Sequence, residues 1–164
     1  MTMHTVFVGI GSNLSDPRAQ VLEAVRALAG LPQTRLLASS SLYRSAPVGF
    51  LDQPDFVNAV AQLETELGPR ELLEALLELE REHGRTREFL NAPRTLDLDV
   101  LLYDGLCHHE HGLTIPHPRM HERAFVLQPL LEIAPDCAIP GIGPAAECLV
   151  RCAGQQLERV EDAV

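Results

Sequence analysis

The chain reads as an α+β sandwich, a mainly antiparallel sheet with helices on its faces. Strand-like and helix-like segments interleave along it, but without the regular βαβ spacing of a doubly wound sheet. No repeat or linker divides the 164 residues, a length that supports one domain with a substantial core and not two. Residues 1–164 are therefore expected to form one domain. Hydrophobic residues at 46% and charged residues at 22% are an ordinary globular balance.

Each element has a local reason. Thr5 to Ile10 is a β-branched and aromatic run that ends in Gly11-Ser12-Asn13, a strand feeding a turn. Asp16-Pro17 supplies an N-cap and a proline at the first helical position, and Val21, Leu22, Val25 and Leu28 give a stripe up to Gly30. Leu36 to Tyr43 reads as a second strand, and residues 45–54, with two prolines and a glycine, as a long loop. Phe56 to Leu67 alternates as a strand. Gly68-Pro69 opens a helix over Arg70–His83, closed by Gly84, with Leu72, Leu73, Leu76 and Leu77 as its buried stripe. Glu80 falls on that face where a leucine is expected, either at the wet end of the seam or near a site. Residues 84–93 show neither periodicity and read as a basic loop. A strand through Asp97–Leu102, a turn at Tyr103-Asp104-Gly105 and a short return segment follow. Phe125 to Ile133 reads as a helix stopped by Pro135, and the part from Cys137 on as Pro/Gly-rich and then weakly helical.

A net charge of −10 disfavours a nucleic-acid groove or an anionic membrane surface as partner. No apolar run is long enough to span a bilayer, and Met1-Thr2-Met3-His4 lacks the basic and apolar regions of a signal peptide, so a cytoplasmic protein is expected. Cys107, Cys137, Cys148 and Cys152 form no CxxC pair and are expected as reduced thiols, with Cys148 and Cys152 packed on one helix face.

The chemistry concentrates in Pro93-Arg94-Thr95-Leu96-Asp97-Leu98-Asp99. Two acids at i and i+2 of a strand share a face ~6–7 Å apart, where they repel unless a cation lies between them. Alone, the pair fits a solvated strand face as well as a metal site. Oxygen ligands without Cys or His favour Mg²⁺, and Arg85, Arg87 and Arg94 nearby suit phosphate oxygens. His117, between two prolines, has the environment of a structural histidine. Cys107-His108-His109-Glu110-His111 reads as an exposed turn, because its ligand spacing is poor for zinc. No GxxxxGK[ST] loop, GxGxxG or GxSxG is present, and Gly9-Ile10-Gly11 matches none of them.

Several motifs occur in order: Gly11-Ser12-Asn13-Leu14, Ser40 to Gly49 with Tyr43-Arg44-Ser45, Asp52-Gln53-Pro54-Asp55-Phe56 with Asn58, Pro93 to Asp99, Leu113-Thr114 with Pro116-His117, and Arg123 with Phe125-Val126-Leu127. Over the region from the first strand to about Pro135 the chain resembles the 6-hydroxymethyl-7,8-dihydropterin pyrophosphokinase family. The resemblance implies a monomeric ferredoxin-like α+β fold and pyrophosphate transfer from ATP to a pterin alcohol in folate biosynthesis. By the same resemblance, Asp97 and Asp99 bind two Mg²⁺ ions bridging the ATP phosphates. Arg85, Arg94, His117 and Arg123 take basic positions at the triphosphate, and Arg87 a loop arginine. Val100, Thr114 and Glu80 lie at the nucleotide. Asn58 meets the pterin edge, Phe56 and Phe125 sandwich its ring, and Ser45, Ala46 and Val48 line the pocket. The chain departs from the family pattern at Leu90-Asn91-Ala92, where an Arg-Trp-Gly run is common, at Phe56 for a frequent Tyr, and at Pro118 for an aromatic. A different Mg²⁺-dependent phosphoryl or nucleotidyl transferase is the alternative, and a binding module without turnover is a third; convergence of Phe56, Asn58 and Phe125 on one cavity discriminates.

Overall fold

A computed structural model of the chain describes residues 2–14, 16–46, 52–83 and 96–160. Its main sheet has six strands: β1 (His4–Ser12), β2 (Thr34–Ser39), β3 (Leu42–Ser45), β4 (Phe56–Thr65), β5 (Asp97–Tyr103) and, last in the chain, β10 (Leu157–Val160). The order is β10-β3-β4-β1-β5, with β2 beside β4, and every pairing is antiparallel. The expected α+β class, with a mainly antiparallel sheet, is what the chain adopts.

Helices α1 (Pro17–Ala29) and α2 (Pro69–Glu82) lie over one face of this sheet, whose buried cluster holds Val6, Val8, Ile10, Leu98 and Val100. Helices α3 (Ala124–Ile133) and α4 (Ala145–Arg151) belong to a second cluster on the opposite face, with Phe7, Val60, Leu101 and Leu102. Alternation along β1 and β5 thus divides the chain between two cores. A bulge in β5 breaks the alternation once. Phe7 pairs with Leu102 and Val8 with Val100, so Leu101 is the extra residue and joins Leu102 on the α3 side.

Asp16 caps α1 as expected, its carboxylate accepting from Ala19 N at 3.4 Å, with Pro17 first in the helix. The buried stripes are rotated from those expected. In α1 Val21, Ala24 and Leu28 are buried and Leu22 is exposed. In α2 Leu72, Leu76, Leu79 and Glu80 are buried and Leu77 is exposed. At 100° per residue Leu77 lies about 100° from Leu76, beyond the face that Leu72, Leu76 and Leu79 centre on.

The single strand expected over Leu36–Tyr43 is two strands, β2 and β3. Ser39 pairs with Ala61 and Tyr43 with Asn58, so four steps on one side meet three on the other. The Ser40 hydroxyl supplies the missing ladder partner by accepting from Val60 N at 2.9 Å. Glu132 of α3 accepts from Ser41 N, the Ser41 hydroxyl and the Tyr43 hydroxyl, tying this break to the helix above it. Burial and the Glu132 carboxylate push the Tyr43 hydroxyl up to about 12.

The segment read as an exposed turn is a hairpin, β6 (His108–Glu110) and β7 (Leu113–Ile115), turned at Gly112 with φ 78°. Glu110 receives His108 at 2.9 Å and Arg70 at 3.1 Å, and among the described residues no three potential metal ligands gather there. After Cys137 come a small ladder of β8 (Ala138–Ile139) with β9 (Gly143–Pro144), then α4, where Cys148 and Cys152 are buried free thiols. The expectation of a weakly helical end missed β10, which covers the edge of β3. Just before it, Gln155 accepts from Ala124 N at 2.9 Å and so caps α3. Among the described residues no helix is long and apolar enough to cross a membrane.

Candidate active site

Strand register builds the site. Gly11 of β1 lies opposite Asn58 on one side and Asp97 on the other, and Gly9 lies opposite Asp99. Asn58 in turn pairs with Tyr43, and Ser45 with Phe56. Residues on one side of this row face the α3 layer, where they line a cleft of about 890 Å³ with Phe125 and Val126.

Phe56, Asn58 and Phe125 all line this cleft, together with Ser45 and Ala46. Asp97, Asp99, His117 and Arg123 close its other side. A second cleft of about 840 Å³ is lined by Val100, Thr114 and the β6–β7 hairpin, and it shares Asp99 and His117 with the first. Two open volumes therefore meet at a carboxylate and an imidazole. Glu80 lines neither cleft. It is 3% exposed and accepts from Leu98 N at 2.7 Å, in the edge strand between the two aspartates. It is thus at the buried end of the seam rather than reaching water. Val48, Arg85, Arg87 and Arg94, and the 84–93 loop with Leu90-Asn91-Ala92, lie outside the described residues.

Asp97 and Asp99 are half-buried on the cleft face of β5, while Leu96, Leu98 and Val100 pack into the core behind them. Among the described residues no third Asp, Glu, His or Cys completes a ligand set around them. Two carboxylates in an open cleft fit Mg²⁺, which keeps water and takes phosphate oxygens in its remaining positions. Arg123 sets its guanidinium 5.5 Å from the centre of the Phe125 ring, so charge and aromatic surface are placed together.

His117 is held by its own backbone, donating from N to Leu101 O at 3.0 Å, while Nδ1 accepts from Arg119 N at 3.1 Å. That second bond fits a ring whose Nδ1 carries no proton. Burial, then the Arg123 charge, lowers its pKa to about 4, against a smaller opposite pull from Asp97. The neutral ring therefore favours the folded state at neutral pH. As pH falls below the usual 6.5 the unfolded chain takes up this proton first, and stability is lost until about pH 4. The loss is about 3 kcal/mol. His117→Asn is expected to flatten that part of a thermal-midpoint profile of the ligand-free protein; an unchanged slope between pH 6.5 and 4 would assign it to other groups.

Among the lining residues to which the sequence reading gave no site role are Gly9, Gly11 and Arg119. The two glycines stand opposite the two aspartates, so their spacing in β1 mirrors the acid pair and was a usable signal. A Cβ on Gly11 would lie 3.3 Å from Asn58 Oδ1 and 3.9 Å from Phe56 Cδ1. Bare backbone here leaves the floor of the cleft open. Gly11→Val is expected to raise the KM for the ligand of this cleft about 5- to 150-fold, the scale of a ~1–3 kcal/mol overpacking cost, with little change at the second cleft. Steady-state kinetics with each substrate varied in turn checks this, and equal effects on both would mean a general distortion. The Gly11-Ser12-Asn13 motif has a second use. Asn13 donates to Gln53 Oε1 at 2.7 Å and Pro54 O at 3.0 Å, anchoring the segment that leads into Phe56.

Comparison with known proteins shows the family. Residues 7–135 match the family described as 7,8-dihydro-6-hydroxymethylpterin-pyrophosphokinase. A 2-amino-4-hydroxy-6-hydroxymethyldihydropteridine pyrophosphokinase of Pseudomonas aeruginosa is 47% identical over 158 residues, covering 96% of this chain and 98% of that one. Its counterpart in Haemophilus influenzae is 49% identical over 138 residues, covering 84% and 86%. Among solved structures, a Plasmodium falciparum HPPK-DHPS with pteroate superposes with a TM-score of 0.72 at 12% identity. The match covers 92% of this chain but 42% of that longer one, and it speaks for the fold alone.

Proposed function

Since the chain belongs to the 7,8-dihydro-6-hydroxymethylpterin-pyrophosphokinase family, an ATP-dependent diphosphotransferase family of folate biosynthesis, we propose that its two adjoining clefts divide the substrates between them. The first holds the pterin and the second the nucleotide. The observation that carries this reading is the meeting of Phe56, Asn58 and Phe125 with Asp97 and Asp99 in one cleft that opens onto the other at Asp99 and His117.

Phe56 and Phe125 supply stacking surface for a flat heterocycle, and the Asn58 amide can both donate to and accept from its edge. Val100 and Thr114 contact the nucleotide from the second cleft. Arg123 and His117 face the phosphates at the junction, with Arg85, Arg87 and Arg94 as further cations. Asp97 and Asp99 would hold Mg²⁺, two ions in this reading, which would supply charge neutralisation for the triphosphate. The hydroxymethyl oxygen of the pterin attacks the β-phosphorus. The new O–P bond forms as the bond from the β-phosphorus to the α,β-bridging oxygen breaks; AMP leaves with that oxygen, and the hydroxyl proton is released. No covalent nucleophile is needed, because this chemistry depends on positioning and charge neutralisation.

The test is AMP release by the purified chain with ATP, Mg²⁺ and 6-hydroxymethyl-7,8-dihydropterin. One AMP per diphosphorylated pterin is expected. Folded protein that forms no AMP but still binds both substrates would favour a binding module, and AMP formed without the pterin a different transferase. We also read the functional unit as a monomer of one domain, which light scattering of the active fraction checks.

A further inference from the structure

We propose that Gln155, between α4 and β10, is a positioning residue that aims the Arg123 side chain into the first cleft. Arg123 is the residue before α3, where a side chain with an acceptor ordinarily caps the first free N–H groups. A guanidinium has only donors, and this one makes no capping bond. Gln155 takes that task. Its Oε1 accepts from Ala124 N at 2.9 Å and its Nε2 donates to Glu122 O at 2.7 Å. A backbone N–H can only donate and a carbonyl can only accept, so these two partners allow one orientation of the Gln155 amide.

The two bonds straddle the Cα of Arg123. The peptide unit before it gives its C=O to Gln155 and its N–H to Met120 O at 3.3 Å. The unit after it gives its N–H to Gln155 and its C=O to Val126 N and Leu127 N, at 3.1 and 3.0 Å. All four polar groups are committed, which holds Arg123 at φ −122° and ψ 111°. Those extended values matter because a 3-10 turn, Met120–Glu122, precedes Arg123 and α3 follows it. Helical dihedrals at Arg123 would join the two and re-aim its Cβ relative to the Phe125 ring, over which the guanidinium now sits. The clamp is itself held on both sides. Gln155 N donates to Cys152 O at 2.9 Å, and two residues on Leu157 pairs with Ser45 of β3. Gln155 lines neither cleft and lies beyond residues 7–135, so it acts through Arg123 alone. The inference rests on the reading that Arg123 faces the phosphates.

The test is a double-mutant cycle of Gln155→Met, which keeps the length of the side chain and removes both hydrogen bonds, with Arg123→Ala. Turnover is measured with ATP varied. Dissociation constants for a non-hydrolysable ATP analogue with Mg²⁺ carry the same cycle without needing turnover. Gln155 is exposed, so the Met variant is expected to fold, which circular dichroism and the thermal midpoint check. In the parent chain Gln155→Met is expected to lower kcat/KM for ATP about three- to ten-fold, the scale of one hydrogen bond. With Arg123→Ala already present, the same change should cost less than about 1.5-fold, since no guanidinium is left to aim. An equal loss in both backgrounds overturns the proposal, because it marks a general effect of the altered segment. No loss in the parent chain overturns it as well. If Arg123→Ala itself leaves turnover and analogue binding unchanged, the reading of Arg123 at the phosphates fails, which separates the two failures.

Discussion

Asp97→Ala is expected to lower AMP release by about 10²- to 10³-fold, the scale lost when a main electrostatic support of a transfer reaction is removed. The fold should persist. Asp97 is half-buried at the open side of an edge strand, and the residues that anchor β5, Leu96, Leu98 and Val100, point the other way into the core. Removing one carboxylate also removes its repulsion of Asp99, at ~6–7 Å along the same strand face. The thermal midpoint is therefore expected to stay level or rise slightly without ligands. The stabilisation that Mg²⁺ and an ATP analogue give the parent chain should be lost in the variant, since a ligand that no longer binds the native state no longer raises its midpoint. Thermal scans with and without these ligands, set beside AMP release, separate a lost metal site from a damaged fold. Unchanged turnover would place the metal elsewhere.

Much of this site was legible because strand alternation is a strong signal. Asp97 and Asp99 stand between leucines and valine that can only be core, so their shared face followed from spacing. Asp16-Pro17 marked the start of α1 by the same local logic. What escaped was set by partners distant in sequence. Leu36–Tyr43 looks continuous, yet Ser40 offers its hydroxyl to Val60 N and inserts one residue at the break. Leu157–Val160 has two exposed central residues and no apolar face of its own, and becomes a strand because β3 leaves an edge for it. Gly9 and Gly11 match no phosphate loop; in the sheet a Cβ on Gly9 would press on the Leu101 side chain and one on Gly11 on Asn58. The choice of phosphoryl acceptor was legible only from the ordered motifs, since no single spacing distinguishes a pterin pocket from any other aromatic cleft.

Glu80 has a structural role that the motif reading did not give it, and it carries the second large effect. The resemblance places an acid here at the nucleotide; in the fold the carboxylate is buried and accepts from Leu98 N, the amide between Asp97 and Asp99. Among the described residues β5 is the outermost strand on this side of the sheet, and no further strand there pairs with that N–H. A helix side chain serves instead, holding the register of the edge on which both acids stand. Glu80→Ala leaves the amide unpaired and opens a cavity beneath it, so a loss of about 2–3 kcal/mol is expected. For a chain of this size that is a fall of roughly 4–10 °C in thermal midpoint. Turnover should fall as well, through displaced aspartates. Glu80→Gln keeps an oxygen that can accept from the same amide and is expected to recover most of the midpoint. If Glu80 acted through the nucleotide alone, Glu80→Ala would raise the KM for ATP at an unchanged midpoint. A joint loss of midpoint and kcat, with the midpoint restored by Gln, is the signature of an acid that works by holding the strand.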